Sequence, residues 1–244
     1  MLSNNIVNYN NKPREGCKDL LNAALLSGAS YTQGNDIPIC QKSNGTIPNG
    51  LISYDDAKSL HSKLIKKNPE YHIDKHVHFF VDDQKFDGVY SSIWAHPEKL
   101  LDLLRHFDGA ISPDFSTNAD FPDPEKRHNT YRMRVLDYFL QSNGISIIHN
   151  VRWGTCETWS YCFDGIPLHA IIAIGVVASG INKVVNRRYF YEGLMKAIEF
   201  LEPLAIVVYG SDNYDVFDDI RSRGIKVIAF PSKTNLAFAK EGEV

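Results

Sequence analysis

A chain of 244 residues with 43% hydrophobic and 11% aromatic side chains can fill a core of its own, which excludes a disordered or fibrous class. Its formal net charge of −3 offers no global field to a polyanion, so tight, sequence-independent nucleic-acid binding is not expected. Four cysteines without a CxxC pair, and no apolar run near the ~20 residues that cross a bilayer, point to a reduced cytoplasmic protein with no membrane partner.

Residues 1–50 are Asn-rich and carry the loop segment SNGTIPNG at 43–50, with one short helix expected around Lys18 to Ser27. They read as an arm packed on a main body at 51–244, because they are too few to bury a core. From Gly50 onward strands and helices alternate. Ser53 caps a helix with apolar positions at Ala57, Leu60, Leu64 and Ile65, and Val77 to Val81 follows as a strand. Pro97 opens a helix reaching Phe107, and Ala110-Ile111 is the next strand. A helix over Glu125 to Leu140 is closed by Asn143-Gly144, and Ile145 to Ile148 is a buried strand. A weaker helix spans Cys156 to Phe163, and Ala170 to Val177 is a strand. Helix Tyr189 to Leu201 stops at Pro203, Ala205 to Val208 is a strand, helix Val216 to Arg223 ends at Gly224, and Val227 to Phe230 is the last strand. A final helix is expected from Asn235, and Ile37 to Cys40 is a possible first strand.

Unbroken apolar strands between helices imply a parallel sheet covered on both faces. The fold class is therefore α/β, a single domain with an irregular (β/α) barrel-like sheet, the alternative being an open doubly wound sheet. In either case the loops at the carboxyl ends of the strands line the ligand site. Those ends read SPDFS at Ser112, HNVRWG at His149, VVASG at Val176 and YGSDN at Tyr209.

Asp114 leads the candidates: it follows a strand beside Pro113, and a carboxylate there can act as acid or base or anchor a ligand hydroxyl. Asp82 or Asp83 can join it as a carboxylate pair. Asn118 lies just beyond the same loop. Arg132 shares a helical face with Asn129 and can reach an anion, while Arg134 points elsewhere; the arginines of such an amphipathic helix more often face solvent. Asn150 and Arg152 share one direction, Arg152 offering a fork to phosphate or carboxylate, and Trp153 takes the other as a stacking surface. Ser179 and Ser211 sit in small strand-end turns that can present backbone N–H groups, and Tyr209 adds a phenol at the rim. No Walker or Rossmann glycine pattern is present, so no cofactor is named. His76 and His78 alternate on a strand, but are placed at its start, away from these loops. No metal site is expected.

Several of these residues recur in a pattern. Phe79 to Asp83 with Lys85 and Phe86, SPDFS at Ser112 to Ser116, and the helix with Asn129, Tyr131, Arg132 and Arg134 belong to it. So do Gly144, Trp153, CFDGI at Cys162 to Ile166, Gly193, and Pro203 with Tyr209-Gly210. On these residues the stretch from His78 to Gly210 resembles an uncharacterised family of bacteria and their phages, domain of unknown function 4417. Where that family has Pro-Thr-Val-Ser-Trp at a strand end, this chain has His149-Asn150-Val151-Arg152-Trp153. The resemblance implies the domain limits and a phage or mobile-element setting, and it implies no reaction. The converging polar groups lead to the expectation of an enzyme acting on a small polar or phosphorylated ligand of nucleotide or sugar-phosphate type. Its rivals are a binding protein that captures a ligand or host protein without turnover, and an accessory protein of mobile-element replication. Oligomeric state is left open.

Overall fold

A computed structural model describes residues 12, 15–90, 92–177 and 179–235 of the chain. Its scaffold is a seven-stranded sheet in which every paired neighbour is parallel and the spatial order equals the chain order. The strands are β1 (Leu51–Ser53), β2 (Ile73–His78), β3 (Phe107–Ile111), β4 (Ile147–Asn150), β5 (Ile171–Gly175), β6 (Ala205–Tyr209) and β7 (Lys226–Phe230). Helices α1 (Tyr54–Leu64), α2 (Pro97–Leu104), α3 (Asp123–Ser142), α4 (Val184–Leu201) and α5 (Asp215–Ser222) make the crossovers. Between β4 and β5 a 3-10 helix, Cys156–Ser160, takes that place. Parallel neighbours require such crossovers, and winding always onto the newest edge gives the sequential order.

The sheet curls. Leu51 on β1 and Ile228 and Phe230 on β7 pack into one inner cluster with Ile111, Ile148, Ala173 and Val207. The two outermost strands thus line the same concavity, yet among the described residues no ladder joins them. On the convex side, Val77, Phe79, Ala110 and Ile147 pack beneath α2 and α3, and Ile172, Ile174, Ile206 and Val208 beneath α4 and α5. Inner and outer residues therefore alternate along the strands, with both faces apolar. This is a half-barrel with an open seam between β1 and β7. It is the barrel-like α/β arrangement, not the doubly wound sheet, whose strand order would reverse at a switch point.

Three sequence expectations about the strands need correction. The helix opened by Pro97 ends at Leu104, and Phe107, expected to end it, begins β3. The first strand is Leu51–Ser53, whereas Ile37 to Cys40 contributes only an isolated antiparallel bridge between Tyr31 and Pro38. A three-residue edge strand between Gly50 and a helix start leaves little periodicity to detect. The second strand runs Ile73–His78 rather than through Val81. Phe79 and Phe80 are apolar because they pack outside the ladder, Phe79 on Tyr54 at 5.0 Å between ring centroids and Phe80 on Tyr209 at 5.4 Å. His78 therefore closes β2 at the carboxyl end, opposite to the placement expected from sequence.

Before β1, the Lys18 to Ser27 segment forms a 3-10 turn at Ala23–Leu26, begun by the Asp19 carboxylate accepting from the Ala23 and Ala24 amides. Leu26 and Ala29 pack with Val135 of α3, and the Cys40 amide donates to the Gly165 carbonyl at 2.9 Å. The helix expected to run on from Asn235 lies outside the described residues.

Candidate functional site

The centre of the mouth is built from the ends of β3 and β4. Past Ile111 the chain continues through Ser112, whose hydroxyl donates to Asp137 on α3 at 2.7 Å and accepts from the Asn150 amide at 3.0 Å. That pair of bonds ties the start of the SPDFS loop to α3 and to β4. Phe115, fully buried, anchors the loop's far side under the Arg132 guanidinium at 3.9 Å and beside Phe86. Between these anchors Asp114 faces the mouth.

Both Asp114 oxygens are engaged. Asn150 Nδ2 donates to Oδ1 at 2.6 Å, and Arg152 Nη1 donates to Oδ2 at 2.6 Å. Arg152 also reaches Asn118 Oδ1 at 3.3 Å. The ion pair is largely shielded, with side-chain exposures of 22% for Arg152 and 12% for Asp114. Although burial works against the charged guanidinium, the Asp114 carboxylate outweighs it and raises the Arg152 pKa. Asp83, in the loop after β2, accepts from the Ser116 amide at 3.1 Å and the Ser116 hydroxyl at 3.0 Å. Burial pushes the Asp83 carboxyl up, helped by nearby Asp114 and opposed by Ser116 and Arg152. Asp83, Asp114, Asn118, Asn150 and Arg152 thus form one cluster. It can accept hydrogen bonds, donate them and exchange a proton.

The other sequence candidates stand around it. Asp82 is exposed and caps a 3-10 turn by accepting from the Gln84 amide at 2.9 Å. Arg132 lies one layer behind, paired with Asp87 at 2.8 Å and bonded to Asn129, whose amide donates to the Ser116 carbonyl. Its place behind Phe115 supports the loop rather than the mouth. Trp153 turns away from Arg152 as alternation requires, onto Gly193 of α4, where its indole leaves no room for a β-carbon, and onto Phe190 at 5.5 Å. Ser179 accepts from the Ile181 amide and donates to Val176 within its own turn, and Ser211 accepts from the Asn213 amide.

Tyr209 lies on the inner face, buried, with its ring 4.2 Å from that of His78 and stacked on Phe80. β2 and β6 are not sheet neighbours, so this contact exists because the sheet curls. His78 is also buried; its Nδ1 accepts the Phe80 amide at 3.2 Å. Burial, aided by the Lys233 ammonium, lowers the His78 pKa to about 4. Lys233, just after β7, pairs with Asp56 at 2.6 Å and lies 3.7 Å from Asp55, both in the first turn of α1. Sequence reasoning missed His78 as a mouth residue and missed Lys233 altogether. A correctly bounded β2 would have found the first; nothing local signals the second.

A separate polar network lies behind the mouth, on the convex side. Arg134, Asp137 and His149 are fully buried: Arg134 donates to Asp137 at 3.0 Å and to the Asn150 carbonyl at 3.2 Å, and His149 bridges Asp137 and the Gln41 carbonyl. Arg134, expected on a solvated face, instead holds β4 to α3. Among the described residues the grouping of metal-ligand types within 4.8 Å is Cys40, Asp137 and His149 in this network. The guanidinium already against Asp137 would repel a cation there.

Comparison with known proteins places these residues in a family context. The chain is 35% identical over 134 residues to "Gene 1 protein" of Mycobacterium phage L5, covering 55% of this chain and 56% of that protein. It is 35% identical over 138 residues to "Gene 1 protein" of Mycobacterium phage D29, covering 57% and 49%. The chain thus spans about half the length of these curated relatives. No solved structure matches. No helix among the described residues is long and apolar enough to cross a membrane. The family model for Domain of unknown function (DUF4417) matches residues 29–231, the whole half-barrel included, and the chain belongs to that family.

Proposed function

We propose that this chain is an enzyme that binds a small, hydroxyl-bearing ligand of nucleoside or sugar type at the mouth of the half-barrel. Asp114 anchors ligand hydroxyls and Asp83 exchanges the proton. The observation that carries this reading is the bridging of Asp114 by Asn150 and Arg152, which holds a carboxylate rigidly at the strand ends of β3 and β4. Asp83 is suited to proton transfer because burial raises its pKa toward the working range while two Ser116 bonds keep it in place.

Charge refines the ligand class. Arg152 is matched by Asp114, and Asp83 adds a second carboxylate nearby. A phosphate must therefore displace Asp114 from Arg152 and approach Asp83, whereas a sugar hydroxyl can donate to either carboxylate without breaking the pair. The phage relatives are consistent with a role during infection or in a mobile element. The same closed ion pair suits the second reading, a protein that sequesters its ligand unaltered.

The test is a mass-spectrometric comparison of a bacterial metabolite extract incubated with wild-type protein, Asp114→Asn or Asp83→Asn. Product in molar excess over protein, absent with either variant, supports the enzyme. One-to-one depletion reversed by denaturation supports sequestration. An extract unchanged by the wild type sinks both.

A further inference from the structure

The geometry points to a second ligand subsite at the open seam, where Ser53, Asp55 and His78 receive vicinal hydroxyls of the ligand beneath a displaceable Lys233 strap. This deepens the reading above and rests on it. Ser53 and His78 are register partners at the ends of β1 and β2, on strands about 4.8 Å apart. Ser53 is 1% exposed and its Oγ makes no well-formed hydrogen bond, although the Asp55 carboxylate lies close enough to feel the hydroxyl. It stands at the start of α1 without making the side-chain cap that a serine there ordinarily makes. Asp55 Oδ1, beside it, is likewise buried without a hydrogen bond, its 3.7 Å approach to Lys233 being too long for one. Buried hydroxyls and carboxylate oxygens are costly to leave unpaired, and a ligand or ordered water commonly completes them.

The tautomer of His78 supplies the third group. Its Nδ1 takes the Phe80 amide proton, so the neutral ring carries hydrogen on Nε2, which has no hydrogen-bond partner among the described residues. The seam therefore offers a fixed donor at His78, a hydroxyl that both donates and accepts at Ser53, and a bare acceptor at Asp55. A ligand hydroxyl donates once and accepts, so two adjacent hydroxyls satisfy all three atoms. A phosphate would satisfy His78 and Ser53 but meet Asp55 and Asp56 as like charges. Lys233 covers the two aspartates with a side chain that is 56% exposed. An exposed ion pair of that kind is worth little, so a ligand can displace it.

The experiment uses saturation-transfer NMR and titration of the full chain. The probes are the four ribonucleosides, their 2′,3′-dideoxy counterparts, D-ribose and D-glucose. The expected result is that a hydroxylated probe binds, that the matching dideoxy probe does not, and that Ser53→Ala and His78→Asn each weaken binding. The loss should be about tenfold, equal to about 1.4 kcal/mol or one hydrogen bond. His78→Asn keeps an acceptor for the Phe80 amide, and His78→Gln, which restores a donor near Nε2, recovers part of the affinity. If His78→Asn does not fold, Ser53→Ala decides, since Ser53 Oγ makes no well-formed hydrogen bond in the fold. Binding that is lost in Asp114→Asn yet unchanged in Ser53→Ala and His78→Asn overturns the seam subsite and leaves the Asp114 reading intact. Loss in the seam variants with none in Asp114→Asn overturns the Asp114 reading instead. Failure of every probe to bind at millimolar concentration overturns both.

Discussion

Asp114 and Arg152 neutralise each other in a partly dry site, and removing one partner is costlier than the pair itself is worth. Asp114→Asn leaves the guanidinium shielded without its counter-charge, and is expected to cost about 2–3 kcal/mol in urea unfolding. Arg152→Met added to it should recover part of that loss; a double variant no more stable than Asp114→Asn would show that the pair is not coupled. His76 presents the opposite case. Both of its ring nitrogens are buried without a hydrogen bond, and burial lowers its pKa. An apolar side chain of similar size forfeits nothing there, so His76→Leu is expected to leave stability unchanged or raise it by about 1 kcal/mol. A clear destabilisation would mean that His76 holds a group inside the half-barrel.

At the scale of the elements, the mouth depends on how α3 and α4 are held. α4 is placed by Trp153, whose indole occupies the space a side chain at Gly193 would need, with Phe190 against it. Gly193→Ala must push the indole or the helix aside and is expected to cost about 1–3 kcal/mol, with a changed Trp fluorescence spectrum reporting the displaced ring. An unaltered melt and spectrum would show that the contact is slack. α3 is held by Arg134 and Asp137, which reach β4 and the SPDFS loop from a fully buried position. This network fixes the strand ends from behind, and it explains why a helix with two nearby arginines uses one in the core and the other against Phe115.

For the whole molecule, histidines that lose solvation on folding, buried His76 and His78 among them, set an acid limit. His78 is lowered to about 4 by burial; buried His76, half-buried His61 and exposed His128 are lowered by loss of solvation in the same way. In the unfolded chain a histidine takes its proton near pH 6.5, so between that value and 4 the unfolded state binds more protons than the folded one. Stability is therefore full above pH 6.5 and falls as pH drops toward 4. His78 alone accounts for about 3 kcal/mol of that fall. Urea midpoints measured from pH 8 to 4 should show the decline, and His78→Asn should flatten it; an identical slope in the variant would remove His78 as its source.

Alternation of apolar strands with helices was enough to read the α/β class and the barrel-like sheet, because burial on both faces writes itself into local composition. The same local signal located SPDFS and the Asn150-Val151-Arg152-Trp153 strand end, and the period of two separated Arg152 from Trp153. It failed where the cause of hydrophobicity was not local. Phe79 and Phe80 read as strand although they pack on Tyr54 and Tyr209, and that error placed His78 at the wrong end. Arg134 read as a surface residue because a buried charge is recognised only with Asp137 beside it. The curl of the sheet brings β6 to β2 and Lys233 to Asp55 and Asp56. Sequence by itself determined that strands and helices alternate and where the strand-end loops lie, since those follow from neighbours along the chain. The tertiary structure alone decided which polar groups meet, because ion pairs and unpaired buried atoms arise between segments far apart in sequence.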